Sequence, residues 1–301
     1  MDLQKAVGYE FPPQRVLYNR RDCMLYALSI GVKEDELKYL YELDKDFRVF
    51  PTYPVVLSLK GASFDATVFG AGPGAVSSIP GLPSIDLKKL VHAEEHIEIF
   101  RPLPTQGDME MRSRVEGIYD RGKGMVIETS KTLCDKEGRT YSRSVSQVFI
   151  FGMGGFGGPK GGKSRLVQVP DREPDKIVVD TTSREQAILY RLSGDYNPLH
   201  IDPTIAPKIG FERPILHGLC TYGYAAHAIL KHFGEGYEFK GFGAKFASPV
   251  YPGDTLSTNV WVVEDTPTKR VISFVTKVGN RVVLANGYCH LAKAGSGGSK
   301  L

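Results

Sequence analysis

The sequence predicts an α+β protein that contains two copies of one fold. Strand-like runs follow one another in two separate series, one between residues 92 and 151 and the other between residues 176 and 291. Two short motifs of the first half recur in the same order in the second half. Repetition at so long a period points to two copies of one fold.

Two pairs of motifs carry the repeat. The run Phe-Arg-Pro-Leu-Pro-Thr-Gln-Gly-Asp at 100–108 aligns with Phe-Ala-Ser-Pro-Val-Tyr-Pro-Gly-Asp at 246–254, and Tyr-Ala-Leu-Ser-Ile-Gly at 26–31 aligns with Tyr-Arg-Leu-Ser-Gly-Asp at 190–195. The first pair starts 146 residues apart and the second pair starts 164 residues apart. The first half therefore holds 18 additional residues between positions 31 and 100.

The first half begins with a helical pattern over residues 22–41, where apolar side chains recur at helical spacing. Residues 61–84 are rich in Gly, Pro and Ser, so we predict irregular structure there and place the additional residues in it. Strands are predicted at 97–100, 125–128 and 145–151, with turns at 107–108 and 137–138.

The second half starts with a predicted strand at 176–179. A long apolar helix is predicted at about 218–233, and further strands at 244–246, 256–263, 271–278 and 282–291. Residues 152–175 between the halves are predicted to be a Gly- and Pro-rich linker. The resulting division is 1–151, 152–175, 176–294 and a flexible tail at 295–301.

The segment from residue 190 to 206 contains the most specific chemistry. Asp195 and His200 are separated by a turn, because Asn197 precedes Pro198 and is thereby kept out of the helical region. The pair Asp202-Pro203 is typical of a helix N-cap followed by proline at the first helical position. We therefore expect strand, turn and short helix, with Asp195 and His200 meeting as a general acid–base pair. Alone, such residues are also typical of an ordinary solvated turn.

The longer pattern of Tyr190, Leu192-Ser193-Gly194-Asp195, Asn197-Pro198-Leu199-His200 and Ala206 resembles the signature of the type 2 (R-specific) enoyl-CoA hydratases, which include the hydratase domain of peroxisomal multifunctional enzyme type 2. The resemblance implies a double hot-dog fold, in which each half has an antiparallel sheet around a central helix. Gly31 stands where Asp195 stands in the repeat. The second half is therefore expected to be catalytic, and the first to accommodate a long acyl chain.

The same resemblance implies the roles of the site residues. Asp195 and His200 would hold the reacting water, Asn197 would order the water or the His200 side chain, and the amide of Gly218 at the start of the long helix would bind the thioester oxygen. We predict His217 and His227 to be structural rather than catalytic. No metal or organic cofactor is implied, because the thioester itself activates the alkene.

The substrate implied is an acyl-CoA thioester. Contacts with it are expected from seven residues: His92, Ala93, Arg121, Tyr196, Pro198, Leu199 and Phe246. Arg121 would meet a phosphate of coenzyme A. Solvation of Arg121 in its Gly-flanked turn and core packing of Phe246 are the alternatives.

Residues 152–164 match two phosphate-binding motifs. Gly-Met-Gly-Gly-Phe-Gly at 152–157 has the dinucleotide-type glycine spacing, and Gly-Gly-Pro-Lys-Gly-Gly-Lys-Ser at 157–164 has the Walker A spacing. Both motifs require a helix directly afterwards. The proline-broken run that follows predicts none, so ATP or NAD binding is not expected.

Composition narrows the setting. The 301 residues carry 38 Lys+Arg against 34 Asp+Glu, a balance that does not indicate nucleic-acid binding. No apolar run is long enough to span a membrane. The four widely spaced cysteines are predicted to be free thiols in a reducing compartment. Ser299-Lys300-Leu301 matches the peroxisomal import signal, so the import receptor and the peroxisome are the expected partner and location.

The resemblance thus implies a lyase that reversibly hydrates trans-2-enoyl-CoA to (3R)-3-hydroxyacyl-CoA, and together with the import signal it implies a role in peroxisomal fatty-acid beta-oxidation. A homodimer is expected from the resemblance. The alternatives are an acyl-CoA thioesterase, a non-enzymatic acyl-CoA binder and a hydratase acting on acyl-carrier protein. The preferred acyl chain length and the split of proton transfer between Asp195 and His200 stay open.

Overall fold

A computed structural model describes residues 1–67, 79–86, 89–161 and 167–295, and ten strands of these residues form one antiparallel sheet. In chain order the strands are β1 (Gln14–Tyr18), β2 (Leu90–Ile99), β3 (Gly107–Asp120), β4 (Gly124–Cys134), β5 (Thr140–Phe151), β6 (Lys176–Thr181), β7 (Tyr237–Phe246), β8 (Thr255–Asp265), β9 (Lys269–Val278) and β10 (Arg281–Lys293). They lie side by side in the order β1-β3-β4-β5-β2-β7-β10-β9-β8-β6.

Counted from one edge the strands are β1-β3-β4-β5-β2, and counted from the other edge they are β6-β8-β9-β10-β7. The second half therefore has the same strand order as the first half. The halves join where β2 pairs with β7, with Ile97 opposite Phe242. Both side chains are fully buried. The α+β class and the double hot-dog fold expected from the sequence are confirmed.

Six α-helices accompany the sheet. They are α1 (Leu3–Ala6), α2 (Arg20–Ser29), α3 (Leu37–Leu40), α4 (Pro54–Lys60), α5 (Gln186–Arg191) and α6 (Gly218–Phe233) among the described residues. Helix α6 packs on β7, β8 and β10, and α4 packs on β1 and β5. Every residue of α6 from Leu219 to Ile229 is buried, which explains why its sequence is apolar on all sides.

Helices α4 and α6 are the central helices of the two halves, but α4 has 7 residues and α6 has 16. The bounds predicted for α6 are confirmed. Helix α4 starts with Pro54 at its first position and ends at Gly61, whose φ of 62° suits glycine. The first half therefore covers less of its sheet with helix than the second half does.

The sequence repeat corresponds to a pair of helices that meet. Tyr26 of α2 and Tyr190 of α5 are equivalent in the repeat, and their ring centroids lie 6.1 Å apart. The equivalent residues Ser29 and Ser193 approach each other to 3.4 Å between hydroxyl oxygens. Residues related by the repeat thus face each other between the two halves.

The same spacing of 164 residues extends to the start of the central helices. Tyr26 packs on Tyr53 at 5.1 Å with an interplanar angle of 50°, and Tyr190 packs on His217 at 4.9 Å with an angle of 47°. Because these two contacts are equivalent, the 18 additional residues of the first half must come after residue 53, the N-cap of α4. Part of the Gly- and Pro-rich stretch in which we placed them, residues 68–78, lies outside the described residues.

Several local predictions were wrong. The pattern over 22–41 is two helices, because α2 ends at Ser29 and Gly31 turns the chain with a φ of 86° before α3. The chain enters the 190–206 segment from helix α5, where we expected a strand. Residues Gly107 and Asp108 are the start of β3, because Tyr18 and Leu17 of β1, a strand that the sequence pattern did not reveal, pair with them.

The interior is one main core shared by the two halves, with a smaller cluster under the β3–β5 end. All four cysteines are buried and free, as predicted. In the described part of the chain, no helix combines the length and apolar character that a membrane crossing requires.

Candidate functional site

The loop after α5 carries Asp195, Asn197 and His200. Asn197 has φ −56° and ψ 121°, so it lies outside the helical region, as Pro198 dictates. The side-chain oxygen of Asn197 accepts a hydrogen bond of 3.1 Å from the backbone amide of Leu199. The backbone amide of Asn197 donates a hydrogen bond of 3.3 Å to Asp195 Oδ1. Asn197 therefore organises the turn and orients the Asp195 carboxylate.

Gly194, directly before Asp195, is fixed by the first half. Its φ is 129°, and a Cβ placed on it would lie 2.6 Å from Cβ, 2.7 Å from Cα and 2.8 Å from N of Lys60. Lys60 is held in turn by the carbonyls of Leu17 and Ser63 and by Asp22, whose carboxylate lies 3.5 Å from Nζ. The end of α4 thus limits where the loop that carries Asp195 can lie.

His200 is a buried imidazole with a defined tautomer. Its Nδ1 lies 2.8 Å from the carbonyl oxygen of Ile215, which can only accept, so Nδ1 carries the proton and Nε2 has a free lone pair. Burial lowers the pKa of His200, although the nearby Asp195 opposes this. A neutral His200 is the form that can accept a proton from water.

His217 stacks on His200, with ring centroids 3.7 Å apart and an interplanar angle of 27°. Its Nε2 lies 3.1 Å from the backbone oxygen of Asp195, so it donates there. Its Nδ1 is buried and has no hydrogen-bond partner among the described residues. Burial, reinforced by His200, holds the pKa of His217 well below its usual value.

We predicted His217 to be structural, and the structure places it in contact with both members of the acid–base pair. The signal that could have indicated this was its position directly before Gly218. His227, predicted as structural, pairs with Glu36 at 2.6 Å, away from this cluster.

The potential ligand atoms of Asp195, His200 and His217 lie within 4.8 Å of one another, a spacing that would suit a metal ion. The two imidazoles, however, are stacked with planes only 27° apart. Their lone pairs therefore run side by side rather than toward one point. A metal would require one ring to rotate out of the stack.

Gly218 is the first residue of α6, with His217 as the N-cap. The first amides of a helix have no acceptor within the helix and lie at the positive end of its dipole. A Cβ on Gly218 would come within 3.1 Å of the Phe246 ring. Gly218 therefore permits the ring of Phe246 to close on the helix start, beside the amide predicted to bind the thioester oxygen.

His92 reaches this point from the first half, with its ring 4.7 Å from that of Phe246. Its Nε2 lies 2.9 Å from Glu95 Oε2, which also accepts a hydrogen bond of 2.6 Å from Ser146. Burial alone would raise the pKa of Glu95, but the hydrogen bond and charge of His92 bring it below its usual value. Ala93 lies at the bulge of β2 that separates His92 from Glu94.

The remaining candidates are placed differently. Pro198 and Leu199 form the short 3-10 turn that ends at His200. The ring of Tyr196 lies 4.9 Å from the Arg191 guanidinium. Arg121 lies in the turn between β3 and β4 beside Gly161 of the linker, and the structure does not bring it together with the other candidates.

Two backbone amides of the glycine-rich linker donate hydrogen bonds to a carboxylate of the same chain, that of Asp120. The buried carboxylate of Asp120 accepts hydrogen bonds from the amides of Gly122, Gly155 and Gly157 at 2.8, 2.9 and 2.8 Å. These bonds lower the pKa of Asp120 to about 2. Residues 152–161 and 167–175 contain no helix, while residues 162–166 of the Walker A match lie outside the described part. A linker rather than a phosphate site fits this arrangement.

Two family models match the chain, one for each half. The model of the MFE-2 hydratase 2 N-terminal domain matches residues 17–152. The model of the MaoC like domain matches residues 165–283. The second match contains the whole Asp195–His200–His217 cluster and Gly218.

The chain is also similar to individual proteins. It is 38% identical to peroxisomal multifunctional enzyme type 2 of Mus musculus over 96% of its own length, and spans 38% of that longer relative. It is 35% identical to the probable enoyl-CoA hydratase 2 of Dictyostelium discoideum, covering 95% of each chain. The crystal structure of a MaoC-like dehydratase from Phytophthora capsici superposes with a TM-score of 0.89 at 37% identity, covering 99% of this chain and 100% of that one.

Proposed function

Because the chain belongs to the family of MaoC-like type 2 enoyl-CoA hydratases and is thus a hydro-lyase, we propose that it reversibly hydrates trans-2-enoyl-CoA to (3R)-3-hydroxyacyl-CoA. The observation that carries the proposal is the cluster of Asp195, His200 and His217, whose potential ligand atoms lie within 4.8 Å of one another, with the Nε2 of a neutral His200 free. His217 is the N-cap of α6, so the helix-start amide of Gly218 directly follows this cluster in the chain.

In the proposed hydration, the thioester oxygen binds the Gly218 amide, which stabilises the negative charge that develops there. His200 Nε2 takes a proton from the water as its oxygen bonds to the β carbon. That proton passes from His200 to the Asp195 carboxylate, which delivers it to the α carbon, so both groups end as they began. Dehydration follows the reverse course.

The two halves divide this work in the proposal. Residues 176–294 supply the acid–base pair and the oxyanion donor, and residues 1–151 position the loop and receive the acyl chain. The contact between Gly194 and Lys60 supports such a division, because it ties the catalytic loop to the first half.

The proposed setting is peroxisomal fatty-acid beta-oxidation. Two features support it: the name of the Mus musculus relative and the import signal at residues 299–301, which lie outside the described residues. Recognition by the peroxisomal import receptor and assembly as a homodimer are part of the same proposal.

The test follows the loss of enoyl-thioester absorbance when the purified protein meets trans-2-hexenoyl-CoA, with chiral analysis of the product. We expect the (3R) alcohol, and a loss of rate on the order of 100- to 10,000-fold in Asp195→Asn. Asp202→Asn is the matched control, because its carboxylate in the same loop only accepts from the Thr204 amide. Release of free thiol without hydration would establish a thioesterase, and binding without turnover would establish an acyl-CoA binder.

A further inference from the structure

The inward face of the first-half sheet is polar beside α4. Leu133 is fully buried in the main core, so the residues that alternate with it along β4 share its inward orientation. At the end of β4 that contains Leu133, three inward residues pair with serines of β5: Leu133 with Ser142, Lys131 with Ser144, and Thr129 with Ser146. A lysine and a row of hydroxyl groups therefore face the interior.

Lys131 extends from this face to the short central helix. Its Nζ donates a hydrogen bond of 2.9 Å to Ser58 Oγ of α4. The side chain keeps partial exposure although it lies on the inward face, so it borders a space that water reaches. Glu95 and Asp195 are the carboxylates whose charges act on it, against the burial that lowers the pKa of Lys131.

The equivalent face of the second half is mainly apolar, and the inward hydroxyl groups of Thr258 and Thr276 hydrogen bond to each other. Ile272 and Phe274 of β9 and Cys289 and Leu291 of β10 belong to the apolar core and are at most 1% exposed. Turning a lysine and hydroxyl groups inward costs solvation free energy that an apolar residue would not. Packing therefore gives no reason for the polar face of the first half.

The position of Lys131 relative to the reacting groups supplies the reason. The thioester end of the proposed substrate lies at Gly218 and Phe246, and the β carbon lies at Asp195. On the inward face, His92 lies beside Phe246 and bonds Glu95, which also accepts a hydrogen bond from Ser146. Ser146 pairs with Thr129, two residues before Lys131 on the same face of β4. An acyl chain that extends from the thioester end along this face runs toward Lys131.

Building on the proposed function, we infer that Lys131 forms a polar end to the acyl site and removes the preference for long saturated acyl chains that an apolar pocket would give. In an apolar pocket, each additional buried methylene group increases affinity about fourfold. A chain that reaches the ammonium group and the serines of β5 forfeits this gain. Affinity therefore stops rising once the chain extends to Lys131.

The test measures dissociation constants of hexanoyl-CoA and dodecanoyl-CoA by titration calorimetry. We expect dodecanoyl-CoA to bind the unmodified protein less than about tenfold more tightly than hexanoyl-CoA, whereas an apolar pocket would give a difference on the order of a thousandfold. Lys131→Met, which replaces the ammonium group by an apolar chain of similar volume, is expected to raise this ratio at least tenfold. Lys131→Gln, which keeps a neutral hydrogen-bonding group at this position, is expected to raise it less.

Lys136→Met is the matched control, because Lys136 lies five residues later in the exposed turn after β4 and pairs with Asp108 at the surface. Its ratio should equal that of the unmodified protein. The ratio of two affinities in one preparation does not depend on the folded fraction, so a partly unfolded variant still gives a valid result. A thousandfold preference for dodecanoyl-CoA in the unmodified protein, or an unchanged ratio in Lys131→Met, would overturn the inference.

Binding of saturated esters requires no turnover, so the result is independent of the proposed reaction. Hydration of hexenoyl-CoA by the same preparation tests that reaction separately. If hydration is absent and the ratios change as expected, the chain-length inference stands and the hydratase proposal fails. If hydration is present and the ratios do not change, the hydratase proposal stands and the chain-length inference fails.

Discussion

Replacing Gly194 by alanine tests whether the first half positions the catalytic carboxylate. The new methyl group would lie 2.6 Å from Cβ and 2.8 Å from the backbone nitrogen of Lys60. Lys60 cannot yield easily, because it is part of α4 and its ammonium group is bound by two carbonyls and lies beside Asp22. The loop that carries Asp195 must move instead, by roughly 1 Å to reach ordinary van der Waals separation.

A displacement of roughly 1 Å at a reacting group costs about 100-fold in rate. The positive φ of residue 194 adds strain of about 1–3 kcal/mol for alanine, which lowers the free energy of unfolding. We therefore expect Gly194→Ala to remain folded and to lose about 100-fold in kcat/KM for hydration. Hydration is followed by enoyl absorbance and stability by chemical denaturation.

The matched control is Gly210→Ala. Gly210 has a φ of 91°, but no atom lies within 4 Å of the position that the new methyl group would take, so the substitution introduces strain without a clash. It should lose stability to a comparable extent and retain activity. If Gly194→Ala kept kcat/KM within about threefold of the unmodified protein, the contact with Lys60 would not fix the position of Asp195.

Three further predictions concern the residues around the acid–base pair. Gly218→Ala should lower kcat/KM about tenfold with little loss of stability. The new methyl group would displace Phe246 by a few tenths of an ångström beside the proposed oxyanion donor. Steady-state kinetics over a range of hexenoyl-CoA concentrations checks this. His217→Phe should keep the ring stack but leave the Asp195 carbonyl unpaired, lowering the free energy of unfolding by about 1–3 kcal/mol in urea denaturation. Folding lowers the pKa values of His200 and His217, so below pH about 6.5 the folded state binds fewer protons than the unfolded state. The free energy of unfolding should therefore fall as the pH drops, by up to about 1.4 kcal/mol per pH unit for each histidine. Between pH 7 and pH 5, the free energy of unfolding should decrease less in His217→Phe than in the unmodified protein. An equal decrease in both would contradict a lowered pKa of His217 in the folded state.

The sequence alone determined those features that depend on local spacing. Asn197 before Pro198 forces a turn, and the turn brings Asp195 and His200 to the same site. The apolar run from Gly218 predicted α6 with its observed bounds, because no polar face interrupts it. The long repeat predicted two related halves, since equivalent residues are detectable at any distance along the chain.

Contacts between segments distant in the chain were decided only by the tertiary structure. Strand β1 is short and acquires its role only by pairing with β3, and α5 was mistaken for a strand because six residues carry too little periodicity to distinguish the two. The tautomer of His200 depends on the carbonyl of Ile215, and the buried Nδ1 of His217 depends on its stack with His200. No residue pattern states which backbone oxygen a ring nitrogen will meet.

The contribution of the first half to the site was likewise decided only by the tertiary structure. The contact of His92 with Phe246 and the packing of Lys60 on Gly194 each require the first half to meet the second. The hydrogen bond from Lys131 to Ser58 requires β4 to meet α4 within the first half. Sequence spacing shows which residues share a face of one element, because that follows from backbone geometry. It does not show which faces come together, because that choice depends on the packing of the whole chain around one core.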